Sequence, residues 1–447
     1  MSFNRDSPTR IKRIMSLLEE ISVLPRMIVS PGLDRAFEII KREIPGVIIH
    51  EYPTGSECED WIVPLSWRVT EGFIRNDSGT TIASIDENIL FVAPYSEPID
   101  GWFTKDEIKK HLTTRPDRPD AFALEHRNAY NYQLIDWGIT LPLNRWQKLP
   151  ESRYHIKIEV ERKFGTMKVA EYFLPGERPE TICICAHIDE LCNDDLSGCV
   201  TAIELMHYIE SLTKRRYSYQ MLLVPEMIGC IFFVHHNYDK IANTIGMFNL
   251  ETIGVGDKWH LKKAFQGNTR IEQILRVAVT KTGHPFNEIN FFEGYGNDER
   301  VFAWPAINLP GVSLQRFPFP QYHTSEDTPS IINSENFIQA LEISENFVNI
   351  LEKDYVPNYI NKLQPWLTKR NLYYDSIQNP NNFHKFNNTL LYNINGRNSV
   401  LDLSQIAQLD FFDVFDYLNK FLEQGLINKA EVNWENKLFL NDSLHHP

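Results

Sequence analysis

The chain has 447 residues, 43% hydrophobic, 23% charged and 12% aromatic, which is enough for about two to four domains with sizeable cores. Its 59 acidic against 45 basic side chains give a formal net charge of −14, which argues against a nucleic acid as partner, since phosphate binding needs clustered Lys and Arg. Six cysteines form no C-x-x-C pair, no secretory-type apolar stretch opens the chain, and no apolar run approaches the roughly 18–20 residues of a membrane span; the expectation is a cytoplasmic protein with free thiols, no membrane association and no cysteine-based zinc site.

Apolar residues at helical spacing over 11–21, and again over 33–44 after Pro31-Gly32, predict two helices; residues 47–52 read as a strand closed by Pro53-Thr54-Gly55. From 56 to 150 the texture changes. Short β-type runs at 61–63, 66–69 and 89–93 alternate with turn signals such as Asn76-Asp77-Ser78-Gly79, and Trp61, Trp67, Trp102, Trp137 and Trp146 fall here. We read residues 56–150 as a separate β-rich domain inserted into a larger α/β domain made of residues 1–55 and 151–356. Its tryptophans fit either a carbohydrate surface or ordinary core packing.

Strand-like segments at 154–160, 168–174, 181–186, 219–224 and 247–250 then alternate with helical ones at 198–211, 269–282 and 334–353. That order predicts an α/β fold with a central sheet between helix layers, and places chemistry at the C-terminal ends of the strands. Residues 357–380, rich in Asn and Tyr, read as a linker, and residues 381–447 as a winged-helix-like unit with a terminal β-hairpin. Its second helix carries Asp413, Asp416 and Glu423 against Lys420, so a face for a protein partner or self-association is expected there rather than one for DNA.

The richest stretch for chemistry is the apolar run 181–186, which delivers His187-Ile188-Asp189 and then Asn193-Asp194-Asp195-Leu196-Ser197-Gly198 at a helix start. Imidazole and carboxylate are the ligand types for zinc and similar divalent ions. Further candidates stand at other strand ends or in late loops: Glu226 in Val224-Pro225-Glu226, Glu251 in Asn249-Leu250-Glu251, and His323 in Tyr322-His323-Thr324-Ser325-Glu326-Asp327. Each has an ordinary reading as well. An imidazole pairs with a nearby surface carboxylate, and Asp194, Asp195 or Glu226 caps a helix. The order of these segments, and their places at strand ends, make the case that one of them alone does not.

That ordered set resembles the zinc aminopeptidase and glutaminyl cyclase clan, whose members share a strand ending in His-x-Asp, an Asn-Asp-(Asn/Asp)-x-Ser-Gly turn, a Glu-rich turn before Gly-Ser, an Asn-Leu-Asp segment and a late Tyr-His-Thr. More closely, the chain is similar to an uncharacterised aminopeptidase-like group often labelled as polysaccharide-biosynthesis proteins, with an inserted β domain and a C-terminal winged helix. Asp60-Trp61-Ile62-Val63-Pro64, Asp100-Gly101-Trp102, residues 217–229, Gly296-Asn297-Asp298-Glu299-Arg300 and residues 319–327 carry this likeness, which covers nearly the whole chain. The resemblance implies one or two zinc ions held by His187, Asp194, Glu251 and His323, with Asp194 bridging. It implies that Asp189 orients the His187 imidazole.

One departure stands out. The aminopeptidases have two adjacent glutamates, one a base and one a ligand, where this chain has Pro225-Glu226-Met227. As a ligand Glu226 leaves the base to come from elsewhere, and as the base it leaves a site for one metal. We favour Glu226 for general acid–base work, and Tyr322 or Arg300 for holding the oxyanion or a substrate carboxylate, with an ion pair of Arg300 with Glu299 or Asp298 as the plain alternative. The expected function is zinc-dependent hydrolysis of an amide or peptide bond in a small aminoacyl, N-acyl or sugar-linked substrate. Glutaminyl-cyclase-like acyl transfer on the same scaffold, or a non-catalytic glycan- or protein-binding role, are the alternatives.

Overall fold

In the computed structural model, which describes residues 8–125, 134–294, 296–377 and 380–434, the apolar run at 181–187 lies inside an eight-stranded mixed sheet. Apart from short two-residue pairs, the strands in chain order begin with β1 (Ile48–Pro53), β2 (Ser66–Arg75), β3 (Thr81–Ser84), β4 (Ile99–Thr104) and β5 (Arg153–Lys163). They continue with β6 (Thr166–Leu174), β7 (Thr181–His187), β8 (Ser218–Val224), β9 (Thr244–Glu251), β10 (Trp259–Lys262), β11 (Phe286–Ile289) and β12 (Gly311–Gln315). The large sheet runs β1-β6-β8-β7-β9-β12-β10-β11, with β8, β7, β9 and β12 parallel at its centre.

Every residue of β7, β8 and β9 is buried. These strands are covered on both faces, which is why they read as continuous apolar runs rather than as alternation. Along β7, Ile182, Ile184 and Ala186 enter one core while Cys183 and Cys185 enter the other. The first core is closed by helices α1 (Pro8–Ser22), α2 (Pro31–Glu43) and α3 (Leu196–Glu210), and, beyond α4 (Ile228–His236), by α5 (Arg270–Thr282) and α6 (Ser334–Lys353). Arg10 ties three of them together inside that layer, with Nε 3.0 Å from Glu204 on α3 and Nη1 2.7 Å from Glu345 on α6. Helix α4 and the smaller sheet close the second core.

The smaller sheet has the order β3-β2-β5-β4. The strand expected at 154–160 within the large sheet is thus β5 of the smaller one, which extends past residue 150 to Lys163. The reason is visible in its composition: Tyr154, Ile156 and Ile158 are buried while the residues between them are not, so β5 has a single buried face. Trp67, Trp137 and Trp146 are buried in this core, and Trp102 stacks on His155 with ring centroids 5.3 Å apart. Most of the tryptophan clustering is core packing.

Beyond α6, β13 (Val356–Tyr359) pairs antiparallel with β14 (Ile427–Ala430), which follows α7 (Val400–Ala407) and α8 (Phe411–Glu423). The segment expected as a linker over 357–380 is therefore partly a strand, and Leu367 and Leu372 within it are buried in the first core. Tyr417 Oη on α8 donates to the Leu372 carbonyl at 2.8 Å. Leucine anchors and a strand partner hold a stretch whose Asn-rich composition suggested a free connection. The remainder of the expected terminal hairpin, residues 435–447, lies outside the described residues. Among the described residues, no helix is long and apolar enough to cross a membrane.

Candidate metal centre

Three neighbouring parallel strands end together. His187 closes β7, Glu251 closes β9, and Glu226 lies two residues past Val224, the register partner of His187 on β8. In an open α/β sheet this edge is where ligand and catalytic groups gather. The Asn193–Gly198 turn is fastened to the loop after β9. Asn193 Oδ1 accepts from Gly254 N at 2.7 Å, Asp195 Oδ1 from Thr252 N at 2.8 Å, and Ser197 Oγ from Ile253 N at 2.8 Å. Gly198 is required there, since a Cβ would sit 2.2 Å from the Leu250 carbonyl oxygen. Asp195 also caps α3 by accepting from Gly198 N. The capping alternative thus holds for Asp195, whose carboxylate is also closely spaced with His187 and Glu251, whereas Asp194 takes no part in the cap.

Asp194 lies between the two imidazoles. Its Oδ1 is 3.4 Å from His187 Nε2 and its Oδ2 is 2.9 Å from His323 Nε2. Glu251 Oε1 is 3.6 Å from His187 Nε2, and Glu190 Oε2 is 3.3 Å from His323 Nε2. Donor atoms that share one tetrahedral zinc at about 2.0–2.1 Å are themselves roughly 3.3 Å apart. The spacing of these side chains is that of ligands around a common ion, with Asp194 placed to serve two. Asp194 Oδ2 is buried, and its approach to His323 Nε2 is off the line of a well-aligned hydrogen bond. His187 Nδ1 faces Asp189 Oδ1 at 3.2 Å, which turns Nε2 toward Asp194 and Glu251.

The electrostatics fit a cation as well. Asp189, Glu190, Asp194, Asp195, Glu251, Asp298 and Asp327 are gathered around His187 and His323 in a buried region. Burial raises Asp195 well above its ordinary value and pushes Glu251 and Asp298 up to about 7 and Asp327 to about 8. Burial works against both imidazolium ions. Even so, Glu251, Asp189 and Asp194 hold His187 well above its ordinary value, and Glu190 and Asp194 raise His323 to about 10. Groups that share protons in this way are a site in want of positive charge, which a divalent ion would supply. A further set, Cys185, Cys230 and Asp298, is also closely spaced, but burial raises both thiols and Asp298 Oδ1 accepts from Met227 N at 2.8 Å.

Glu226 is tied to the site through its main chain, and its carboxylate is close enough to raise the Tyr322 phenol. Its amide donates to Asp189 Oδ1 at 3.0 Å, and Ile228 N donates back to the Glu226 carbonyl at 2.7 Å across Met227, whose φ is +60°. This is a γ-turn with positive φ at a non-glycine residue, a rare and strained conformation. Tyr322 stacks on His323 with centroids 3.7 Å apart, and burial together with Asp194, Glu190, Glu251 and Glu226 raises its phenol. Arg300 is exposed and lies over Gly296, where a Cβ would meet its guanidinium. Its alternative acid partners are taken: Glu299 by Lys262 at 2.6 Å and Asp298 by Met227 N.

Several participants were not singled out from sequence. Asn297 Nδ2 donates to Glu251 Oε2, and the Asn297 amide lies 3.2 Å from both Glu299 oxygens, so the Gly296–Arg300 segment orients the Glu251 carboxylate. Asp327 accepts from Asn193 N at 2.7 Å and Asp194 N at 3.2 Å, fixing the backbone that carries the Asp194 carboxylate. Glu190 followed His187-Ile188-Asp189 in plain view.

Comparison with known proteins follows the same lines. Residues 15–354 match a family model described as a domain of unknown function, DUF4910. A Clostridium acetobutylicum protein, provisionally named a polysaccharide biosynthesis protein with an aminopeptidase-like domain, is 30% identical over 409 residues, 89% of this chain and 92% of that one. A crystal structure of a provisionally named peptidase from the same species superposes with a TM-score of 0.83 at 28% identity, covering 94% of this chain and 97% of that one. A zinc aminopeptidase from Bacillus subtilis shares the fold at a TM-score of 0.58 and 14% identity, over 77% of this chain and 95% of its own. The chain belongs to the DUF4910 family, and its α/β core has the zinc-aminopeptidase fold.

Proposed function

We propose that this protein is a zinc-dependent hydrolase of amide or peptide bonds, acting on a small aminoacyl, N-acyl or sugar-linked substrate. The observation that carries the reading is the pair of contacts made by Asp194, 3.4 Å to His187 Nε2 and 2.9 Å to His323 Nε2, which places one carboxylate between two imidazoles at ligand spacing. His187, Asp194, Glu251 and His323 would hold the metal. When bound, zinc acts as a Lewis acid that polarises a carbonyl and makes hydroxide available near neutral pH.

The chain's own groups supply the rest. Asp189 keeps the proton on His187 Nδ1 and so presents the Nε2 lone pair. The Glu226 carboxylate, whose main chain is fixed to Asp189 and by the γ-turn, takes a proton from the attacking water and returns it to the leaving nitrogen, help worth about 10²–10⁴-fold. The Tyr322 phenol, kept protonated by burial and the surrounding acids, donates a hydrogen bond to the oxyanion. The Tyr322–His323 loop and the Gly296–Arg300 segment both reach the site, through His323 to Asp194 and through Asn297 to Glu251. The C-terminal helices remain candidates for a protein partner or self-association.

The test uses the full-length protein. Metal analysis after dialysis should find zinc, turnover of a panel of aminoacyl and N-acyl amides should fall on addition of a chelator, and zinc should restore it. His323→Ala should lose zinc while keeping its circular dichroism. A protein that takes up no zinc when saturated with it would overturn the proposal.

A further inference from the structure

We infer that Glu190 is a metal ligand on the His323 side of the centre, in the role for which the single glutamate after β8 left no residue. This rests on the metal-centre reading and extends it. Glu190 Oε2 lies 3.3 Å from His323 Nε2, and that same nitrogen lies 2.9 Å from Asp194 Oδ2. On the other side, His187 Nε2 is 3.4 Å from Asp194 Oδ1 and 3.6 Å from Glu251 Oε1. Each imidazole is thus flanked by one oxygen of the shared aspartate and one glutamate of its own. His187, Glu190 and Asp194 also each offer a donor atom within 4.8 Å of the others.

The loop is built to keep Glu190 there. Its φ is +69°, uncommon for a side-chain-bearing residue, and a fully buried arginine fixes the backbone around it. Arg26 donates to the carbonyls of Ile188 at 2.7 Å, Glu190 at 3.2 Å and Leu191, while the Glu190 amide donates to the Arg26 carbonyl at 3.3 Å. An acid in a surface loop needs no such anchorage. One held rigidly beside an imidazole, with its side chain only 10% exposed, is placed as a ligand is. Coordination by Glu190 leaves Glu226 free for proton transfer, so one carboxylate no longer has to fill two roles.

Zinc binding to the chelator-stripped, full-length protein decides the matter, read by elemental analysis at fixed free zinc and by competition with a chromophoric chelator. The wild-type chain should bind two ions. Glu190→Ala and the nearly isosteric Glu190→Gln should keep one and hold the other more weakly by at least the roughly 10–100-fold that loss of an outer partner costs, whereas Glu226→Gln should keep both. Circular dichroism and melting establish that each variant is folded. Wild-type affinity for two ions in both Glu190 variants would overturn the inference, as would loss of the second ion in Glu226→Gln. A wild-type chain that binds one ion sinks this inference and spares the metal centre, while one that binds none sinks both.

Discussion

Asp189 and Glu226 are joined by a hydrogen bond of 3.0 Å from the Glu226 amide to Asp189 Oδ1, the same oxygen that faces His187 Nδ1. One carboxylate therefore aligns the imidazole of the proposed metal centre and positions the turn that carries the proposed base. Asp189→Asn removes the charge that strengthens the imidazole while leaving an oxygen for the amide. Zinc affinity should fall roughly 10–100-fold in this variant, measured by chelator competition. Equal affinity in the two proteins would mean that Asp189 serves the turn alone.

Glu226→Gln keeps the size of the side chain, and the turn depends on main-chain atoms, so structure and zinc content should persist. The amide cannot accept the proton. We expect kcat to drop about 10²–10⁴-fold with KM little changed, read by steady-state kinetics on an amide substrate once one is found. Wild-type turnover in this variant would transfer the proton to another group.

The large sheet was legible because buried parallel strands are continuous apolar runs, and the polar residue that ends such a run, His187 or Glu251, marks the edge where the candidate site lies. Strand β5 was assigned to the wrong sheet although Tyr154, Ile156 and Ile158 alternate with polar residues, the pattern of one buried face. Asn297 and Asp327 could not be read locally, because they act through hydrogen bonds to Glu251 and to the backbone at Asn193 and Asp194, contacts between distant segments. Glu190 escaped notice because an acid in a polar loop is ordinary composition. Only the approach of His323, more than a hundred positions along the chain, gives it meaning.

A pH dependence follows from Glu171 on β6. Burial opposes its ionisation, but His50, Lys240 and Gln220 outweigh that and hold it at about 2, below its ordinary 4.5. A carboxyl whose folded value is depressed contributes stability that is complete above the unfolded value and is lost as pH falls from about 4.5 toward 2. Glu171→Gln should be less stable than wild type by about 2–3 kcal/mol at pH 6, and the gap should narrow by pH 3. Denaturant unfolding of both proteins at the two pH values checks it. A gap independent of pH would assign the loss to packing.

The C-terminal helices should be needed for a stable α/β core as well as for any partner. The Asp354 carboxylate after α6 accepts from Leu401 N at 3.0 Å and pairs with Arg270 on α5, and Val400 N donates to the Tyr355 carbonyl at 2.9 Å. Phe415 on α8 meets Tyr355 with ring centroids 6.3 Å apart, and β14 is the partner of β13. Deleting residues 360–447 uncovers Tyr355 and its neighbours and leaves β13 unpaired, each large apolar side chain exposed costing about 1.5–3 kcal/mol. The truncated chain should melt well below the full-length protein or fail to remain soluble. Should it melt at the wild-type temperature and still bind zinc, the C-terminal helices would be an appendage, and their packing against α6 would carry no weight in the fold.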